Sequence, residues 1–198
     1  ALDKLTEAGI TFRLRHCANS AALSDYPDCG MDMVRAGIVL YGLQPSADLR
    51  HPLPLKPVMS LKSVISHVKT VPAGTTVSYG RTFTAPCEMK IATVPIGYAD
   101  GFWRHNSPAG VRLTVRGQQA PILGRVCMDQ LMLDVTHIDE EAQQNLIACQ
   151  KELRKAKDEV TAANNTIGYE VICGVGERVP RLYIEEGNWV ATLDNLMR

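Results

Sequence analysis

Three polar turns near the middle of the sequence carry side chains that could exchange protons with a small, charged substrate. They occupy residues 77–80, 95–101 and 124–130, and apolar, strand-like runs separate them. The turns contain tyrosines, an arginine and carboxylates. Reactive groups usually lie on loops that a stiff scaffold carries, and the apolar runs would supply that scaffold. The sequence therefore predicts a site that binds a small charged molecule and moves a proton to or from it.

A second group of candidate residues lies in polar loops nearer the N-terminus. Asn19 offers an amide, Ser20 offers a hydroxyl, and Gly37 and Ile38 offer backbone N–H groups. If these loops follow the last strands of a βα barrel, they would form a phosphate site. The alternative is that Asn19 and Ser20 only cap a helix. Local sequence leaves both interpretations open.

His16 and Arg35 belong to the same region. A loop histidine is more often a hydrogen-bonded structural residue than a catalyst. Arg35 stands among apolar neighbours, so we expect it to be half-buried and to need a partner.

Alternating helices and strands are expected to position this second group. Residues 1–9 have the pattern of an amphipathic helix, and residues 10–14 alternate as a short strand. Residues 21–26 predict a short helix, and residues 31–42 lead into another strand and loop. This order is typical of parallel βα units, which need several neighbours to close. We therefore predict that residues 1–50 are the last units of a larger, incomplete barrel.

The character of the sequence changes after a proline-rich linker at residues 44–57. Short apolar runs then alternate with glycine and proline turns, which is typical of a small antiparallel barrel or sandwich. Strands are expected at residues 59–71, 75–79, 90–96, 111–115, 120–123 and 130–135, with a hairpin-like turn at residues 116–119. Residues 51–198 are therefore predicted to form a C-terminal β domain, and the fold class to be α+β or mainly β.

Composition argues against several functions. The 198 residues include 21 Lys and Arg and 21 Asp and Glu, so no net field favours nucleic acid or an anionic membrane. No run approaches about eighteen consecutive apolar residues, and the first residues lack a signal-peptide pattern. The six cysteines form no C-x-x-C pair, which is typical of reduced thiols in a cytosolic protein. No metal site is predicted.

Six motifs resemble those of bacterial alanine racemase and occur in that family's order and spacing. They read HCANSAA at residues 16–22, VRAGIVLYG at 34–42, VSYG at 77–80, GYADG at 97–101, GRVCMD at 124–129 and RVPR at 178–181. The resemblance covers roughly residues 1–138 and 165–183, and it implies closing strands at residues 169–173 and 178–183. Residues 188–197 predict a loose terminal segment or a short helix. Each motif alone is weak, but six in register exceed what chance would give.

The resemblance implies an enzyme dependent on pyridoxal phosphate (PLP), with a (βα)8 barrel and a C-terminal β domain, working as a head-to-tail homodimer with shared active sites. It implies that Tyr79 is the acid/base that one subunit lends to its partner. Arg35 would face the pyridine nitrogen of the cofactor, with His16 bonded behind it. The remaining implied residues are Ser20, Gly37, Ile38 and Tyr169 at the phosphate, Met128 and Asp129 on the substrate side of the partner site, and Tyr98 and Arg104 along the access channel.

The chemistry of racemisation explains these residue types. A proton leaves one face of the substrate carbon and another returns on the opposite face, so each face needs an acid/base group. Free tyrosine titrates near pH 10, and making it a base at pH 7 requires about 4 kcal/mol of phenolate stabilisation, which a nearby cation could supply. An arginine cannot take a proton from the pyridine nitrogen, so the ring would withdraw electrons less strongly. We expect a short-lived carbanion that favours proton return over side reactions.

Two features depart from the family. The cofactor lysine of the family has no counterpart here, since Lys56, Lys62, Lys69 and Lys90 belong to linker or strand patterns. The chain alone is therefore predicted to be inactive. Residues 139–164 instead predict one continuous helix with a heptad of apolar positions, either packed on the β domain or making a coiled-coil contact.

The resulting prediction is the C-terminal half of a PLP-dependent racemase of L- and D-alanine, which supplies D-alanine for peptidoglycan in the cytoplasm. Serine remains open as the substrate, because serine racemases belong to the same family. A non-catalytic β module for dimerisation or binding is the alternative from another functional class.

Overall fold

The computed structural model describes residues 1–138, 166 and 168–194. The chain divides into two compact units, residues 1–59 and residues 60–198. The domain boundary predicted at residue 50 stays a prediction, and the helix predicted at residues 139–164 lies outside the described residues. Among the residues described, no helix is long and apolar enough to cross a membrane.

The first unit contains two short α-helices, α1 (Leu2–Glu7) and α2 (Ser20–Asp25). Two 3-10 helices follow, at Pro27–Cys29 and Ile38–Tyr41. Helix α2 begins where the sequence indicates, because the Asn19 side chain accepts a hydrogen bond from the backbone N–H of Ala22.

The strand predicted at residues 10–14 is wrong for this structure, in which those residues are irregular. Ile10, Phe12 and Leu14 alternate as a strand should, but their side chains are 45–56% exposed. The predicted strand before Gly42 is likewise a 3-10 helix. A strand exists only where a neighbour completes its hydrogen bonds, and residues 1–59 supply no such neighbour.

The second unit is built on a five-stranded antiparallel sheet, as expected for the C-terminal β domain. Its strand order is β1-β4-β7-β6-β5. A small β2-β3 ribbon and a β8-β9 hairpin accompany it. The strands are β1 (His67–Val71), β2 (Thr76–Val77), β3 (Phe83–Thr84), β4 (Met89–Val94), β5 (Arg112–Val115), β6 (Gln118–Leu123), β7 (Leu131–Asp134), β8 (Arg181–Glu185) and β9 (Asn188–Leu193).

The core of this sheet follows the alternation of its strands. Along β7, Leu131 and Leu133 are fully buried while Met132 and Asp134 are half-buried. Strand β4, which lies between β1 and β7, is buried at most positions. This central, two-sided burial holds the ends of β4 and β7 firmly, and the polar turns begin at those ends.

Two predicted strand limits change in the structure. The first strand begins at His67 instead of residue 59, because its neighbour β4 ends at Val94, ahead of Pro95. The turn predicted at residues 116–119 is only the two residues Arg116 and Gly117, both with positive φ, so β6 starts at once.

Two further predictions near the C-terminus are wrong. Residues 169–173, predicted as a closing strand, belong to helix α3 (Gly168–Cys173). A five-residue apolar run has no period long enough to distinguish a helix from a strand. Residues 188–197, predicted as a loose segment or a short helix, begin with strand β9, which pairs with β8 across a turn at Glu186 and Gly187.

Candidate active site

Tyr79 lies on a tight turn that connects β2 to β3 in the small two-stranded ribbon. Its side chain is 68% exposed, so it is not part of the core. The turn has three residues with positive φ: Ser78 at 70°, Gly80 at 73° and Arg81 at 51°. Ser78 has ψ 175°, a conformation that is essentially confined to glycine and costs about 1–3 kcal/mol for other residues.

The Tyr79 turn is tied to the turn at residues 124–130 through Ser78. The Ser78 hydroxyl donates to the carbonyl oxygen of Arg125 at 2.7 Å and accepts from the N–H of the same residue at 2.9 Å. A Cβ at Gly124 would lie 2.5 Å from the Cβ of Ser78, so only glycine permits this approach. The Ser107 hydroxyl also donates to the Gly124 carbonyl. The two turns therefore form one connected unit.

The Arg125 side chain brings a cation to the same turn. Its Nη1 lies 3.3 Å from the position that a Cβ on Gly80 would take. The guanidinium thus packs beside the backbone next to Tyr79, and Gly80 leaves room for it. Arg125 is exposed, and its side chain did not figure among the predicted site residues.

The third turn, at residues 97–101, packs against the same loop. The N–H of Tyr98 donates to the carbonyl of Cys127 and the N–H of Ala99 to that of Met128, each at 3.0 Å. A Cβ at Gly97 would lie 2.3 Å from both carbonyl oxygens. The motifs GYADG and GRVCMD are therefore in direct backbone contact, so Tyr98 and Met128 are carried by adjoining turns.

A charged cluster fixes this arrangement from the C-terminal side. Arg178 donates from Nε to Asp100 Oδ1 and from Nη2 to Asp129 Oδ1, both at 2.7 Å. These hydrogen bonds and charges raise the pKa of Arg178, Asp100 contributing most. The second oxygen of Asp100 accepts from the N–H of Gly97 at 2.8 Å. Asp100 thus closes its own turn and holds Arg178 against Asp129.

Helix α3 ends against the same turn. The N–H of Gly176 donates to the carbonyl of Asp100 at 3.0 Å. A Cβ at Gly101 would lie 1.9 Å from the carbonyl oxygen of Gly174. Tyr169 stands on α3, where its side chain is 40% exposed.

The other predicted substrate-side residues are accessible. Met128 is 53% exposed and Tyr98 is 45% exposed. Arg104 is exposed at the start of a 3-10 helix, Arg104–Asn106. Met128 could have been a core residue like its neighbour Cys127, but only Cys127 is buried.

In the first unit, the structure brings Ser20 and Gly37 together. Ser20 is 2% exposed, and its hydroxyl oxygen accepts from the N–H of Gly37 at 2.9 Å. Ile38 is buried and starts the 3-10 helix that follows. Ser20 therefore both starts α2 and holds the glycine loop.

His16 and Arg35 also meet. Arg35 donates from Nη1 to His16 Nδ1 at 2.7 Å, so the imidazole proton resides on Nε2. Arg35 is exposed rather than half-buried as expected, because the segment before it is itself exposed in this unit. The expected need for a partner is nevertheless met by the imidazole.

Sequence reasoning gave no specific role to three residues that hold the site together: Ser78, Arg125 and Arg178. Arg125 was counted only as the arginine of the polar turns. All three lie inside the motifs VSYG, GRVCMD and RVPR, and this position was the one indication in the sequence that they belong to the site. Their roles depend on partners 47 to 78 residues away in the chain, which no local pattern specifies.

Family models match nearly the whole chain. The alanine racemase C-terminal domain matches residues 58–183, and the alanine racemase N-terminal domain matches residues 1–45. The chain belongs to the alanine racemase family. The resemblance read from the six motifs is therefore confirmed.

Individual relatives agree. The alanine racemase of Desulforamulus reducens is 50% identical over 92% of this chain and 50% of its own length. The alanine racemase of Desulfovibrio desulfuricans is 46% identical over 93% of this chain and 50% of its own length. The chain thus spans about half the length of the relatives it matches.

Solved structures give the same result. The alanine racemase of Clostridium difficile 630 in complex with cycloserine has a TM-score of 0.88 and 41% identity, covering 98% of this chain and 51% of that one. The alanine racemase of Bacillus anthracis with bound L-Ala-P has a TM-score of 0.87 and 36% identity, covering 99% of this chain and 51% of that one.

The family is generally PLP-dependent, and the donor set of the first unit fits that cofactor. The Ser20 oxygen accepts from Gly37, which leaves its O–H to donate to an anion such as a phosphate. Arg35 has five N–H donors, of which the bond to His16 takes one, so others can face a ring nitrogen. No metal-binding group of three or more His, Cys, Asp or Glu occurs among the described residues.

Proposed function

We infer that this chain is the C-terminal half of a PLP-dependent racemase that interconverts L- and D-alanine. The observation that carries the proposal is the exposed Tyr79 on a turn that is tied to a second loop by side-chain and backbone contacts. If Tyr79 of one subunit exchanges a proton with a substrate bound in the partner's site, its phenol must be exposed and its turn must be rigid. The family membership supplies the reaction class.

Tyr79 would act as the acid/base on one face of the substrate. It removes the α-proton from one enantiomer and returns a proton when the reaction runs in the other direction. A positioned proton donor or acceptor of this kind contributes about 10²- to 10⁴-fold to rate. The group for the opposite face lies outside this chain in the proposal.

Residues of the first unit would hold the cofactor. The Ser20 hydroxyl and the N–H groups near Gly37 and Ile38 would bind its phosphate. Arg35, oriented by His16, would donate to its pyridine nitrogen. When bound, PLP withdraws electrons from the substrate and so makes the α-proton acidic.

The remaining residues would act at the substrate and its access route. Met128 and Asp129 would lie on the substrate side of the partner's site. One carboxylate oxygen of Asp129 accepts a hydrogen bond from Arg178, so the other oxygen would be the one that faces the substrate. Tyr98 and Arg104 would line the access channel, and Tyr169 would reach the phosphate.

This assignment requires a homodimer in which each site takes Tyr79 from the neighbouring subunit. The exposure of Tyr79, Tyr98 and Met128 supports a surface that another subunit covers. A cytoplasmic location and a role in supplying D-alanine for peptidoglycan are part of the same proposal.

Alanine is favoured over serine because the relatives at 41–50% identity are named alanine racemases and one solved neighbour contains L-Ala-P. A non-catalytic β module is disfavoured because the chain carries parts of both family domains. The Schiff-base lysine belongs to a part of the enzyme outside this chain, so the chain alone should not catalyse exchange.

The test assembles this chain with the barrel half that bears the lysine, in the presence of PLP. We expect the visible absorbance of bound cofactor and L-to-D exchange of alanine that exceeds exchange of serine. Tyr79→Phe should lower kcat by about 10²-fold or more while cofactor absorbance remains. Tyr183→Phe, which changes another exposed tyrosine of the second unit, is the matched control and should leave kcat unchanged.

The opposite results would identify another function. Stable association of the two halves without cofactor absorbance would favour the binding module. Full turnover by Tyr79→Phe would remove Tyr79 from the mechanism, and faster exchange of serine would change the substrate.

A further inference from the structure

Ser78 is the least favourable backbone position in the candidate site. Its φ of 70° and ψ of 175° belong to a region that side chains with a Cβ rarely occupy. A glycine would adopt this conformation freely, yet the chain has a serine there. Residues persist in such conformations when their surroundings over-determine them, and such residues cluster at active sites.

Two hydrogen bonds hold Ser78 in this conformation. Its hydroxyl donates to the carbonyl of Arg125 and accepts from the N–H of Arg125, so one side chain bridges both ends of one residue's backbone. Bonding to both groups fixes the distance and the direction of the Ser78 side chain relative to that loop. Gly124 permits the close approach that these bonds need.

The geometry of Ser78 determines where Tyr79 stands. Tyr79 follows Ser78 directly, and its side chain is largely exposed, so few packing contacts of its own orient it. The direction of the phenol is therefore set through the backbone of the turn. A catalytic group displaced by about 1 Å can lose about 100-fold in rate, so a fixed backbone has a direct chemical consequence.

We propose that Ser78 is a positioning residue for Tyr79, and that its two bonds to Arg125 hold the phenol where proton transfer occurs. The inference rests on the proposed function of Tyr79 as an acid/base. The hydroxyl itself does not touch the substrate in this proposal. Its contribution is to prevent the turn from relaxing to an ordinary backbone conformation.

Two variants separate the hydroxyl from the backbone conformation. Ser78→Ala keeps the Cβ and its backbone cost but removes both bonds. Ser78→Gly removes both hydrogen bonds and also the energetic cost of the positive-φ conformation, so the turn is neither held by Arg125 nor strained. In the holoenzyme assembled with the lysine-bearing half, we expect both variants to lower kcat by about 10- to 100-fold with a smaller change in KM.

Isotope effects and amide exchange distinguish positioning from a general loss of structure. Tyr79 serves one face, so the α-deuterium isotope effect should rise for the enantiomer whose proton Tyr79 removes and should not rise for the other, whose proton removal becomes less rate-limiting. The N–H of Arg125 should exchange with solvent at least about 10-fold faster, since its acceptor is gone. Ser66→Ala removes a comparable hydroxyl-to-carbonyl bond, at Thr93, and should change neither readout.

Each result has one meaning. Wild-type kcat in Ser78→Gly, or equal isotope effects for both enantiomers, would overturn the positioning role while leaving Tyr79→Phe inactive. If Tyr79→Phe itself is fully active, the proposed function fails, whatever the Ser78 variants do. Faster exchange at Arg125 together with a one-sided isotope effect supports the proposal.

Discussion

Each of the two units carries candidate residues, yet their backbones are supported in different ways. In the second unit, the turns leave a five-stranded antiparallel sheet and the β2-β3 ribbon, and all of these strands pair within the unit. In the first unit, residues with strand patterns are irregular, and only four hydrophobic side chains are buried: Ala18, Ile38, Val39 and Leu43. The antiparallel strands of the second unit complete their hydrogen bonds with one another, whereas parallel barrel strands need further βα units as neighbours.

The consequence is that side-chain bonds have different tasks in the two units. In the first unit, single contacts such as Ser20 with Gly37 and Arg35 with His16 hold the candidate residues directly. In the second unit, the sheet sets the ends of the strands, and contacts such as Arg178 with Asp100 fasten turns that are already close. Substitutions should therefore affect stability more in the second unit than in the first.

The largest difference should come from glycine substitutions. In Gly97→Ala, the new Cβ would overlap the carbonyl oxygens of Cys127 and Met128, both 2.3 Å away, and separate two turns. We expect the free energy of unfolding of the second unit to fall by about 3 kcal/mol. Urea unfolding followed by tryptophan fluorescence would measure it, because Trp103 and Trp189 both lie in that unit.

Gly30→Ala is the matched control in the first unit. Gly30 has an ordinary φ, and the nearest atom to its new Cβ lies 3.4 Å away, an ordinary contact. The substitution should change stability by less than about 1 kcal/mol. Gly42 in the first unit also makes a close approach, to the Lys56 carbonyl, so the pair tests the approach at Gly97 and not the units as wholes. Equal effects of the two substitutions would show that the approach at Gly97 does not hold its two turns together.

A smaller effect is expected at the charged cluster. Arg178→Met would leave two carboxylates without their cation, and we expect the free energy of unfolding of the second unit to fall, by less than in Gly97→Ala. The Asp100 side chain is 15% exposed and the Asp129 side chain is 62% exposed. Water therefore screens the ion pair between Arg178 and Asp129 more than the pair between Arg178 and Asp100. Asp100→Asn should therefore lower the free energy of unfolding more than Asp129→Asn does. Added salt should weaken mainly the ion pair between Arg178 and Asp129. The reverse order in urea unfolding would show that the cluster does not hold the turn through Asp100.

The smallest effect should be the pH response of an exposed ion pair in the first unit. Hydrogen bonds from the Arg15 side chain, and then from its N–H, lower the pKa of Asp32 from 3.8 to about 2. A carboxyl with a lowered folded-state pKa stabilises the fold above its unfolded pKa. That contribution is lost as the pH falls from about 4 to about 2.

NMR titration of the Asp32 carboxyl carbon would measure this pKa directly. Arg15→Met should return it part of the way towards its ordinary value, because the side-chain donors are gone while the backbone N–H remains. Exchange of the Arg15 N–H, which donates to Asp32 at 2.9 Å, should accelerate over the same acid range in the wild type. A midpoint at or above 3.8 in the wild type would show that the pair does not persist in solution.

Much of the second unit could be predicted from its sequence because the alternation of apolar and polar residues marks each strand and all of its partners lie within the unit. The strands at residues 89–94 and 131–134 agree with prediction to within about one residue at most ends. Short segments were harder, and residues 169–173 form a helix because a run of that length fits either period. The β8-β9 hairpin was missed although Gly187 between two apolar runs is a readable turn signal.

Among the candidate residues, too, the sequence predicted some features and left others to the tertiary structure. Motif order identified the family and named Tyr79, Arg35 and His16. The contact between Arg35 and His16 is present in the structure. The roles of the predicted residues at cofactor and substrate remain predictions.

The sequence by itself determined the family, the β character of the second unit and the turns on which the candidate side chains stand. These depend on residue types and on spacing along the chain. Only the tertiary structure decided that Ser78 bonds to Arg125, that Arg178 joins Asp100 to Asp129, and that the strand-like residues 10–14 form no strand. Each of those outcomes depends on what lies beside a residue in space, and a hydrogen bond or a strand is a property of two partners rather than one.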